Sequence, residues 1–164
     1  MFLHVPPDAF GQEHECWFDE ENNQWFKATY INRFGLAWGR DGSATANEYL
    51  TRLVLQNVHF ADSIRLECLI NCDQRLRILT TQPHIVGEAA DYREIQDWFI
   101  KLGFERLKID DRIAWYHSTE NVLVADAHEG NVIKTATGSI VPIDLNIVQP
   151  DSSMRDAISE LIGK

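Results

Sequence analysis

The chain has 164 residues, 45% of them hydrophobic and 24% charged, with a formal net charge of −10. That balance describes about one domain of globular protein and rules out a disordered chain. With no apolar run long enough to cross a bilayer and no Lys/Arg cluster to displace counterions from a duplex, neither a membrane nor nucleic acid is expected as a partner.

The opening MFLHVPPDAF lacks a basic region followed by an apolar stretch, so a cytoplasmic chain without a signal peptide is expected. Cys16, Cys68 and Cys72 are odd in number with no secretory context, which predicts reduced thiols, with Cys68 and Cys72 in the core. The six histidines show no ligand spacing. No Gly-x-Ser-x-Gly elbow, Walker loop or dinucleotide fingerprint occurs.

In chain order, HECWFDEENNQWFKATYI has β-rich runs on either side of EENNQ and predicts a hairpin over 13–30. FGLAWGRDGSAT, with three glycines, predicts a loop. Thr45 and Glu48 are spaced as a capping box. Tyr49, Leu50, Leu53, Val54 and Val58 then follow at helical spacing. SIRLECLINCDQRLRILTTQ predicts a second hairpin turning at Asp73 and Gln74, and PHIVGEA a short extended link. DYREIQDWFIKLGF carries Ile95, Trp98, Phe99 and Leu102 on one helical face and stops at Gly103. FERLKIDDRIAWYHS predicts two short strands around Asp110 and Asp111, and NVLVAD another. NVIKTATGSIVPID predicts a hairpin turning at Gly138. LNIVQP predicts a loop and SSMRDAISELIGK a capped terminal helix. Strands, helix, strands, link, helix and a further cluster of strands make an α+β pattern.

Chemistry concentrates in DAHEGNVIKTATGSIVPID. Asp126 precedes Asn131 by five positions, and Asn131 precedes Asp144 by thirteen. An acid and an amide at the entry of a hairpin, with an acid at its exit, supply oxygens suited to a hard cation. Magnesium takes few protein ligands and keeps water or phosphate on the rest, so one Asn and one Asp suffice. The competing reading makes Asp126 and Asn131 turn residues and Asp144 a strand end.

DAHEGN resembles the catalytic loop of the protein-kinase fold, Asp, four residues, Asn, and PID resembles its metal-binding Asp motif. The loop is also similar to aminoglycoside-kinase-like ones. Taken with EYLTRLVLQNVHF, TTQPHIVGEAA and ADAHEGNVI, the chain most resembles the kinase domain of phage and mobile-element polyvalent proteins, over about 11–147. The resemblance implies a minimal protein-kinase-like fold forming a single domain over 1–164. Its parts would be a small β-rich N-lobe with one helix (11–81), an interlobe link (82–86) and a truncated C-lobe (87–164). It implies ATP and Mg2+ as cofactors and a hydroxyl-bearing acceptor, either a small molecule or a protein partner. Asp126 would orient the attacking hydroxyl, and Asn131 and Asp144 would hold the metal. Lys27 would contact phosphate with Glu48 orienting it, and backbone around Gln82, His84 and Val86 would face the adenine. Glu48 has the alternative of only capping its helix, and Lys27 that of a solvent-facing strand residue. His128 is expected to contact a phosphate or, by preference, to fix the loop by a hydrogen bond, and not to act as a base.

Three departures stand beside the resemblance. Gly11 is the one glycine where a phosphate-covering loop needs several. Leu145 follows Asp144 where a glycine is usual. About twenty residues remain after Asp144, too few for a peptide-gripping helical subdomain. A kinase-like binding module without turnover is therefore the alternative function. A third class, an unrelated interaction protein, rests on Trp17 and Trp25 as exposed hairpin residues.

Overall fold

The computed structural model describes residues 5–38, 42–109 and 112–163. His4, residues 39–41 of the glycine-containing loop, the turn at Asp110 and Asp111 and the Cys72 side chain lie outside what is described. The chain divides into two compact units, Met1–His84 and Ile85–Lys164. The division falls inside the stretch 82–86 expected to be a link.

The first unit is a five-stranded antiparallel sheet and one helix. β1 (Ala9–Phe10), β2 (His14–Asp19), β3 (Gln24–Thr29), β5 (Arg75–Pro83) and β4 (Arg65–Cys72) lie side by side in that order. Both expected hairpins form. Asp73 and Gln74 take φ of 51° and 61°, the two left-handed residues that a tight β4–β5 turn requires. Between the hairpins comes α1 (Ala46–Phe60), opened by the expected capping box: Thr45 Oγ1 accepts from Glu48 N–H and Glu48 Oε2 accepts from Thr45 N–H. The helix ends at Ala61, which adopts a left-handed conformation.

Helix α1 buries Tyr49, Arg52, Leu55 and Gln56, while Val54 and Val58 face solvent. The apolar face expected from spacing is therefore corrected, because two polar side chains take inward positions once they have partners. Arg52 bonds both carboxylate oxygens of Glu13 from the turn before β2, and its guanidinium lies 5.0 Å from the centre of the Tyr49 ring. Gln56 Nε2 donates to Asp62 Oδ2, as does Gln82 Nε2 from β5. Tyr49 packs with Ile78 and Phe34, and its hydroxyl bonds His14 Nε2 at 2.8 Å. On the other face Trp17, only 4% exposed, packs with Ala28 and Leu79. The expectation of an exposed Trp17 is corrected: alternation along β2 carries it into the core. Cys16 and Cys68 are half-buried thiols outside any disulfide, so the core placement expected for Cys68 is corrected.

The second unit holds two small antiparallel sheets and two helices. β7 (Glu105–Ile109), β8 (Arg112–His117), β9 (Val122–Ala125) and β12 (Asn146–Val148) form one sheet in the order β12-β9-β8-β7. β6 (Gly87–Ala89), β10 (Val132–Thr135) and β11 (Ile140–Pro142) form the other, in the order β11-β10-β6. Helix α2 (Tyr92–Lys101) opens on an Asp91–Glu94 capping box and stops at Gly103, whose φ is 89°. It buries Ile95 and Phe99 and leaves Leu102 exposed. Phe99 stacks on Trp115 of β8 at 4.9 Å with 6° between the planes, and Phe104 meets Phe99 edge-on. Helix α3 (Ser152–Ile162) is capped by Asp151, whose Oδ1 accepts from Met154 N–H.

One expected loop is a strand: 146–148 pairs with β9 as β12, Ile147 opposite Val124. Three residues between a polar turn and Pro150 are too few for alternation to register. The burial of Ile147, at 3% exposure, drives the pairing.

Arg52 is buried and its partner Glu13 is partly so. Arg52→Ala strands that carboxylate and removes packing against Tyr49. We expect a loss of about 2–3 kcal/mol in urea unfolding; a loss below about 0.5 kcal/mol contradicts this account of helix docking.

Candidate active site

The second unit brings together the residues singled out in DAHEGN and PID. Asp126 follows Ala125, the last residue of β9, and Ala125 lies opposite Asn146, the first residue of β12. Asn131 immediately precedes β10, and its carbonyl accepts from Ile143 N–H at 2.8 Å, one residue past the end of β11. Asp144 lies between Ile143 and the start of β12. Strand pairing therefore carries all three residues to the junction where the β10–β11 hairpin passes into the β9–β12 pair.

The catalytic-loop candidate is wound tightly. Asp126 has φ of 61°, a left-handed conformation that Asp tolerates better than most residues. Its carbonyl accepts from His128 N–H at 3.1 Å and from Asn131 Nδ2 at 2.9 Å. Asn131 Nδ2 also lies 3.3 Å from Asp126 Oδ2, and Asn131 N–H bonds the His128 carbonyl. The Asn131 amide nitrogen is turned toward Asp126, so its Oδ1 is the atom left for a cation.

This donor set fits magnesium. Among the described residues there is no group of three or more His, Cys, Asp or Glu that could hold a metal by themselves. One amide oxygen and one half-buried carboxylate at a strand junction match an ion that takes its remaining ligands from phosphate and water.

The hairpin is fixed from two sides. Lys134 of β10 bonds Glu94 Oε1 at 2.5 Å, and the other oxygen of Glu94 caps α2. Strand β6 runs against β10 so closely that a Cβ on Gly87 would sit 2.3 Å from the Lys134 carbonyl oxygen. Neither the Glu94–Lys134 tie nor the closeness at Gly87 was apparent from sequence spacing, since the first pair is forty residues apart.

In the first unit, Lys27 lies in β3 opposite Cys16 and Thr80, half-buried. It shares a sheet face with Thr29, two residues on. Thr29 lies opposite His14, which bonds Tyr49 of α1, so Lys27 is on the face that carries the helix. Glu48 stands in the first turn of that helix with Oε2 in the capping box. Gln82 is buried, its amide tied to Asp62. His84 N–H donates to Asn23 O, and His84 Nδ1 accepts from Trp25 Nε1–H at 2.9 Å beside Phe18. Val86, in the second unit, is 72% exposed.

Residues 10–149 match the model of a protein family described as Serine/Threonine/Tyrosine Kinase found in polyvalent proteins. No curated protein and no solved structure matches the chain.

The Lys134 ammonium holds the Glu94 carboxyl below its ordinary value of 4.5, with the Asp91 N–H adding to the effect. Glu94 in turn raises Lys134 above 10.5. Glu94 therefore stabilises the fold fully above its unfolded value, and that contribution is lost as pH falls through the lower folded value. Lys134 contributes fully below 10.5 and loses its contribution as pH rises through the higher folded value. The stability gap between wild type and Lys134→Ala should be fully open from about pH 5 to 10 and close on both sides. Carbon NMR titration should show the Glu94 carboxyl moving up in the variant; an unmoved titration contradicts the tie.

Proposed function

The chain belongs to the serine/threonine/tyrosine kinases found in polyvalent proteins, and on that premise we propose that it is an ATP- and magnesium-dependent phosphotransferase acting on a hydroxyl. The observation that carries this is the gathering of Asp126, Asn131 and Asp144 at one strand junction, with the Asn131 amide turned so that its oxygen is left for a cation. Kinases divide the work in the same way, one acid for the hydroxyl and an amide and an acid for the metal.

Asp126 orients the acceptor hydroxyl and takes its proton. As the acceptor oxygen bonds to the γ-phosphorus, the bond from that phosphorus to the β,γ-bridging oxygen breaks. Its electron pair leaves with ADP. Asn131 Oδ1 and the Asp144 carboxylate would hold magnesium, which would offset the charge on the phosphate oxygens. Lys27 draws on the nucleotide phosphates, and backbone near Val86 accepts the adenine edge. The acceptor is a small hydroxylated molecule or a protein partner.

A kinase-like binding module is the second reading. It is favoured by the turn between β1 and β2, where Gly11 N–H bonds the His14 carbonyl in a short connection with one glycine. ATP binding without phosphate release or transfer would point to it.

ATP with magnesium should raise the melting temperature by several degrees, as expected for a ligand well above its Kd. Asp144→Ala should abolish that rise, and equal rises in both proteins contradict the metal assignment. Asp126→Ala should keep the rise and lower turnover by about 100-fold or more; unchanged turnover contradicts its role.

A further inference from the structure

We propose that His128 is a positioning residue for Asp126, holding through Nε2–H the carboxylate that receives the acceptor's proton. This rests on the role given to Asp126 above and adds a residue to it.

A neutral imidazole has one donor nitrogen and one acceptor nitrogen, and the hydrogen bond at one ring nitrogen decides which is which. The Gly130 backbone N–H can only donate, and it lies 3.0 Å from His128 Nδ1. Nδ1 is therefore the acceptor and the ring proton is on Nε2. Nε2 lies 3.5 Å from Asp126 Oδ1. With the Nδ1 lone pair engaged and Nε2 already protonated, His128 has no lone pair with which to take a proton from a hydroxyl. Its Nε2–H is within 3.5 Å of the carboxylate, close enough to be drawn in as a donor when an acceptor binds, and the base remains the carboxylate.

The two oxygens of that carboxylate are approached from different sides, Oδ1 by His128 and Oδ2 by Asn131 Nδ2. Asp126 is 63% exposed and His128 59%, so no packing fixes the carboxylate and its donors must. Gly130 makes the arrangement possible: a Cβ there would come within 3.0 Å of His128 Cε1 and 3.1 Å of Nδ1. The order Asp, x, His, x, Gly, Asn therefore places an anchor, a donor and a carboxylate within one turn of chain.

Long-range proton–nitrogen NMR at pH 8 should find His128 as the Nε2–H tautomer; a predominantly Nδ1–H ring overturns the proposal. Scalar couplings should give Asp126 one χ1 rotamer in wild type and an average in His128→Ala, and a single rotamer in both also overturns it. With ATP as substrate and water as acceptor, His128→Ala should lower kcat about tenfold, with KM for ATP and the ATP–magnesium melting shift unchanged. His128→Gln, whose amide nitrogen reaches the Nε2 position, should recover most of that loss. His128→Asn, which reaches only as far as Nδ1, should not. Equal rates for Gln and Ala, or a raised KM at unchanged kcat, overturn the proposal. If wild type binds ATP but releases no phosphate, phosphotransfer is what fails, and the tautomer and the Asp126 couplings still decide the role of His128.

Discussion

The pairing of Ala125 with Asn146 is the constraint on which the site depends. It closes the chain between Asp126 and Asp144 into a loop whose ends are adjacent, and the β10–β11 hairpin stands inside that loop. The bond from Ile143 N–H to the Asn131 carbonyl then draws the hairpin's base toward the same place. Asp126 and Asn131 are joined by a local side-chain bond, and backbone hydrogen bonds between strands bring Asp144 to them. Such a scaffold keeps Asp126 exposed and Asn131 and Asp144 half-buried at one junction, where polar side chains can meet a ligand.

The surroundings hold the hairpin by complementary means. Glu94 both caps α2 and pairs with Lys134, so one side chain couples the helix to β10. Gly87 admits β6 to the other side of β10 at a distance no side chain would allow. In the first unit the same economy recurs: Arg52 and Gln56 point into the fold because Glu13 and Asp62 receive them, and α1 is thereby docked on the sheet face that also carries Lys27. Polar groups, each with a defined partner, set register and orientation where apolar contacts alone leave latitude.

Much of this was legible in the sequence. The capping boxes at Thr45 and Asp91 and the stop at Gly103 are local signals, and local bonds realise them. The hairpins follow from alternation and turn residues. The Asp126–Asn131–Asp144 spacing marked a candidate site because the chemistry proposed for it is carried by residue types at short separations. What escaped was non-local. Strand β12 is three residues long and exists only through β9. The inward turn of Arg52 depends on a glutamate thirty-nine positions away. Trp17 looked like an exposed hairpin residue until the sheet to which its hairpin belongs was known. The tautomer of His128 is set by a backbone N–H two residues on, which residue types alone do not reveal.

The central claim is that Asn131 and Asp144 form a cation site at the strand junction, beside Asp126. Nitrogen-labelled protein titrated with Mn2+ in the presence of a non-hydrolysable ATP analogue tests it most directly. The account predicts that the amide signals of these three residues broaden at the lowest Mn2+ concentrations, while those of α3 beyond its first turn stay sharp. Sharp signals at Asn131 and Asp144, with broadening spread over other acidic surfaces, would contradict it.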